Sequence, residues 1–207
     1  MDLQKIREIS QKNAKKLGYE INTNLPLLDD DIGLRPQQEI VGRSLALFAV
    51  VACSYRFDKS LAIQWLERER VIDYLSDSER IYLNEREDNI TRFQSQVEGL
   101  NAFAWSLGFV KSISFDSACD NSLIKHFPDI KNNGSSCEYK ALSSVRSSSQ
   151  IISVCDLAYC LHWAIVNAEA NSVNLLSDVA QHVIIERRRA LEWMLCTDDW
   201  DKLTLDT

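Results

Sequence analysis

Arg187 stands where an apolar side chain is expected. It belongs to "VIIERRRALEW", residues 183–193, a stretch with the periodicity of a core helix. At roughly 100° per residue, Val183, Ile184, Ala190, Leu191, Met194 and Leu195 share one face, with Arg187 near its middle. Arg188 lies at the edge of that face. Arg189 points away, beside His182, Glu186 and Trp193. A guanidinium does not shed its proton to escape burial. Removing one partner of a buried pair costs about 3–5 kcal/mol. Any fold of this chain must therefore bring an acceptor to Arg187.

Asp156 is the predicted acceptor, paired bidentately from the preceding helix, where it shares a second face with Tyr159 and Trp163. Glu39 and Arg43, four residues apart on the side of Leu47 and Val50, read as another charged pair. Asp201 and Asp206 in the tail are further acceptors. The expectation is a polar seam through a helical core. Closed, it fixes helix register. Open to solvent, it becomes an anion pocket built on Arg43, Arg187 and Arg188.

The rest of the chain fits that core. An amphipathic helix over residues 2–17 follows Leu3, Ile6, Asn13 and Leu17, ends at Gly18, and carries lysines on one face. A loop leads to a helix that starts at Pro36 and runs to about Cys53, apolar all round in its second half. A third helix follows Asp58. "SDSE", residues 76–79, is a capping box opening the fourth. A fifth spans about 90–107, with Phe93, Val97, Leu100, Ala104 and Leu107 in phase. A sixth spans about 150–169 and a last about 177–196. Residues 109–118 read as extended, "NSLIKHF" as a short helix, and "EYKAL" as a brief strand. Residues 131–149 read as a Ser-rich internal loop, with seven serines between 131 and 150. The fold class is mainly α: a single domain over 1–207, an orthogonal bundle of about seven main helices with little or no sheet. Residues 1–24 form its N-terminal helix and loop.

Composition narrows function. A net charge of −7 works against the phosphate attraction behind nucleic-acid binding. The longest apolar run, Leu45–Cys53, is too short to span a bilayer. The first residues lack an apolar secretory region, so the chain reads as cytoplasmic, and its six cysteines as free thiols. No G-x-S-x-G, P-loop, H-E-x-x-H or dinucleotide fingerprint occurs. His182 and Glu186 alone do not make a metal site. His162 reads as a core histidine bonded to a carbonyl. No catalytic residue and no cofactor is expected, and the sequence leaves oligomeric state open.

"LRPQQEIVGRSLAL", "LSDSERIYL", "LNAFAWSLG", "DLAYCLHWAIVNA" and "VIIERRRALEWMLC…WDKLTLDT" together resemble the bacterial family called domain of unknown function 4272, over about residues 25–207. The family pattern often has an arginine at Cys160 and a tryptophan at Phe93. The resemblance implies a helical single domain and brings no activity with it.

Two functions remain. One is a non-enzymatic protein-binding module of the immunity or antitoxin type, covering a basic toxin with carboxylates from Asp29, Asp30, Asp31, Glu85, Glu87, Asp88, Asp198 and Asp199. The other is an enzyme or small-anion binder that uses the seam of Arg43, Asp156, His162, Arg187 and Arg188.

Overall fold

In the computed structural model, which describes residues 2–28, 33–85, 90–175 and 177–207, every regular element is helical. The helices are α1 (Leu3–Lys16), α2 (Gln37–Ser54), α3 (Lys59–Arg68), α4 (Asp77–Asn84), α5 (Ile90–Ser95), α6 (Val97–Ser106), α7 (Cys137–Leu142), α8 (Ser148–Ala170) and α9 (Gln181–Leu195). Tight 3-10 turns lie at Ile72–Tyr74, Asn121–His126 and Ile130–Asn132. Among the described residues there is no strand, and the fold is mainly α, as the periodicities imply.

The layers follow from the apolar faces. Helix α9 packs between α6 and α8, α1 covers the far side of α8, and α2 lies against α6. Helices α6 and α9 pack closely: a Cβ at Gly99 would sit 3.5 Å from the Glu186 carbonyl oxygen, in ordinary van der Waals contact. Helix α2 is buried along nearly its whole length, as its apolar second half requires. Helix α8 is long and apolar enough to cross a membrane by length and composition, although much of it is buried against its neighbours.

Several local expectations are revised. The helix expected over 90–107 is interrupted at Gln96, where the Ser95 hydroxyl donates to the Arg92 carbonyl at 2.7 Å and competes with the helical pattern. "EYKAL" is helix α7, not a strand, because Tyr139 anchors it by stacking on Phe109 and Phe127 at 4.5 and 5.3 Å. The serines around it are caps and ties rather than spacers. Ser136 donates to Glu69 from its backbone and hydroxyl, and Ser147 opens α8 in a capping box with Gln150. The buried stripe of α1 is Leu3, Arg7, Ser10 and Ala14, out of phase with the stripe expected. Residues 109–118 form bends and turns, held by side chains. Trp193, expected on the outer face of α9, is buried, because the returning tail lays Trp200 against it at 6.2 Å.

Candidate functional site

Three buried ion pairs cross the interior. Arg187 on α9 donates to Glu98 Oε2 of α6 from Nε at 2.9 Å and Nη2 at 2.6 Å. Arg7 on α1 donates to Asp156 of α8 from Nη2 at 2.7 Å. Arg43 on α2 meets Glu79 of α4 bidentately, at 2.7 and 2.6 Å. The Arg187–Asp156 pair expected from the sequence is therefore not formed. Asp156 faces the opposite side of α8, where α1 docks, and the packing of α6 on α9 brings Glu98 to Arg187 instead. Glu39 does not pair with Arg43 either; it meets Arg35 at 3.3 Å, half-exposed.

The same guanidiniums also hold loop carbonyls. Arg7 donates to the Leu25 and Pro26 oxygens at 2.6 and 2.8 Å. Arg187 donates to those of Ser114 and Ser117, and Arg43 to that of Tyr74. Arg146 binds the carbonyls of Trp105, Val110 and Lys111. Most of these carbonyls have no helical partner, whereas that of Trp105 also accepts from the Gly108 backbone N–H at 3.1 Å. Burial works against the Arg7 charge, but the hydrogen bond and charge of Asp156 outweigh it and raise its pKa above the ordinary arginine value.

The three consecutive arginines thus have three different fates. Arg189 reaches Glu186 at 3.5 Å, half-buried. Arg188 is buried and donates to Glu192 at 2.6 Å, to His162 Nδ1 at 2.6 Å, and to the Asp206 carbonyl of the tail at 2.8 Å. It lines a groove of about 690 Å³ with Tyr159, Glu192 and Leu203, and the tail carbonyls occupy its donors. Arg43 and Arg187 are closed from solvent by their carboxylates. The seam does not gather Arg43, Arg187 and Arg188 into one pocket.

His162 is a core histidine whose partner is a guanidinium, not the expected carbonyl. Arginine only donates, so Nδ1 accepts and the ring is neutral. Burial, then the charges of Arg188 and Arg189, push its pKa down to about 4. An unfolded histidine takes its proton near 6.5. Below that pH the unfolded state binds a proton that the folded state refuses. Stability contributed by this site is present above about 6.5 and lost as pH falls toward 4, by up to roughly 3 kcal/mol. Burial raises the pKa of Glu186 and Glu192, which offsets part of this loss, since folding then favours their protonated forms. Urea unfolding at pH 7, 6 and 5 is expected to show the protein losing ground to His162→Asn as pH falls. Parallel pH dependences would contradict this assignment.

A second feature was not read from the sequence. Helices α2, α5 and α6 and residues 118–131 enclose a solvent-open cleft of about 1230 Å³. Phe48 and Val51 of α2, Leu100 of α6, and Leu123, Phe127 and Ile130 line it. Phe48 stacks on Phe127 at 4.9 Å and meets Trp65 edge-on at 6.1 Å. Tyr55 and Ile124, also lining residues, are 60% and 55% exposed. Glu98 reaches the cleft wall, its Oε1 accepting from the Cys119 backbone N–H at 2.9 Å. The Cys119 thiol is pushed up to about 12, by burial first and then by Glu98, which leaves it protonated and unreactive near neutrality. The walls come from α2, α5, α6, a run of turns at 118–131 and His182 of α9, so no local pattern announced them.

The acidic candidates are dispersed. Asp198 and Asp199 are exposed beside Lys202, and Asp199 pairs with it at 2.7 Å. Glu85 is exposed at the end of α4. Asp29, Asp30, Asp31, Glu87 and Asp88 lie outside the described residues. His182 is exposed and Glu186 buried, and no group of metal-ligating side chains occurs among the described residues.

A family model described as "Domain of unknown function (DUF4272)" matches residues 6–203. No curated protein and no solved structure matches the chain.

Proposed function

The chain belongs to the DUF4272 family, a family without an assigned activity, and from the geometry we propose that it is a non-enzymatic binding module whose ligand enters the apolar cleft between α2, α5 and α6. The cleft itself carries this reading. Its size exceeds the roughly 300–1,000 Å³ usual for small-molecule sites, and apolar side chains form its floor while charged and polar groups rim its mouth. The buried charges support binding over catalysis, because they are spent on one another and on loop carbonyls.

Titration with the neutral fluorescent probe N-phenyl-1-naphthylamine tests the reading. Saturable binding with a blue-shifted emission is expected, and Ala118→Trp, which adds bulk at an exposed lining position, is expected to weaken it at least tenfold. Absence of saturable binding, or binding indifferent to Ala118→Trp and Ile124→Gln alike, would count against the cleft.

A second reading keeps a protein partner on the acidic side. Asp77, Asp198 and Asp199 all act on Lys202, a gathering of carboxylates suited to a basic protein such as a toxin. On that reading, Asp198→Asn/Asp199→Asn removes protection against a toxin co-expressed with this chain and leaves probe binding unchanged. Protection retained in full by the double variant rules it out.

A further inference from the structure

Charges at the cleft mouth are unequally committed, and this deepens the cleft reading, on which the following inference rests. Asp120 caps the turn at Asn121–His126, accepting from the Ser122 backbone N–H at 2.6 Å. Asp129 caps the next turn, accepting from the Asn132 backbone and amide nitrogens at 3.2 and 2.7 Å. These hydrogen bonds hold both carboxyls below the usual range. Glu98 is fixed between Arg187 and the Cys119 backbone N–H. Arg92 is engaged with Asp201 at 3.6 Å. Lys125 and Lys131 line the same cleft, are exposed, and have no hydrogen-bond or ion-pair partner among the described residues. The negative groups of the mouth thus have donors, while two of its ammonium groups, near Asp120 and Asp129, have no acceptor within hydrogen-bond reach among the described residues.

We propose that the cleft binds a free, single-chain amphiphile with an anionic head, such as a long-chain carboxylate. The alkyl chain lies along the accessible apolar lining at Ala52, Tyr55, Val97 and Ile124, over a floor that Phe48 and Leu100 close, and the head pairs with the ammonium groups of Lys125 and Lys131. The apolar walls are concave. A bilayer surface cannot fill them without surrendering a lipid, whereas a monomeric amphiphile enters whole. The ligand is therefore the monomer, not the membrane.

The test is displacement of N-phenyl-1-naphthylamine by decanoate and by decanol, each below its aggregation limit. Decanoate is expected to compete better than decanol, and less well as salt rises. Lys125→Gln/Lys131→Gln is expected to weaken decanoate by about 2- to 30-fold, the range of two exposed ion pairs, and to leave decanol unchanged. Both positions are exposed, so the variant is expected to fold. If the probe does not bind, the cleft reading falls and this inference with it. If the probe binds but decanoate and decanol compete equally, or the lysine variant treats them alike, the anionic head is wrong and the cleft stands. Binding to anionic vesicles without displacement by monomeric decanoate would also overturn the proposal.

Discussion

Replacing Glu79 by alanine is expected to lower the unfolding free energy by about 3–5 kcal/mol, the cost of stranding one partner of a buried ion pair. Glu79 is fully buried and accepts both terminal nitrogens of Arg43. It also accepts from the Ser76 backbone N–H at 3.0 Å, closing the capping box of α4. Its loss would therefore strip a helix start and orphan a guanidinium together. Arg43 has little recourse. It cannot deprotonate, its Nε already has no partner, and its face is covered by the Trp200 ring at 4.1 Å. The apolar double variant Arg43→Met/Glu79→Leu is expected to recover most of the loss, since well-packed apolar groups often replace such pairs at no net cost. Urea denaturation of both variants checks this. A single-variant loss under about 1 kcal/mol would show that water reaches Arg43.

The second large effect is expected from Asp156→Ala, and it should be local. Asp156 fixes Arg7, and Arg7 in turn fixes the carbonyls of Leu25 and Pro26. Removing the carboxylate leaves that charge facing α8, and the shortest relief is for α1 to lift away with Arg7. Hydrogen exchange of α1 amides is expected to accelerate by about 10²- to 10⁴-fold, from a similar loss of about 3–5 kcal/mol. Residues 19–28 should become sites of early proteolysis, while α6 and α9 stay protected. Unchanged exchange in α1 would mean that its apolar contacts alone hold it.

What the sequence disclosed divides along physical lines. Helix periods depend on local side-chain placement, so the helices and the "SDSE" cap were readable. The burial of Arg187 followed from its phase in the apolar face of α9. Its partner did not, because pairing depends on which helices approach, and α6 is distant from α9 in sequence. Glu98 offered one signal: a carboxylate beside a glycine in an otherwise apolar helix. Arg7 offered another, since Leu3, Ser10 and Ala14 share its face. The Ser-rich stretch misled because serine serves caps as readily as loops. The cleft was beyond local reading, being assembled from α2, α5, α6 and a run of turns.

The arginine ties to loop carbonyls have a consequence for how the molecule comes apart. A loop held only by turns can fray alone. Here the segment at 109–118 can leave only if Arg187 or Arg146 gives up acceptors in the interior. Small openings are thereby penalised almost as heavily as complete ones. Proteolytic cleavage within 109–118 should then wait on opening of the central helices, and the chain should melt as one unit.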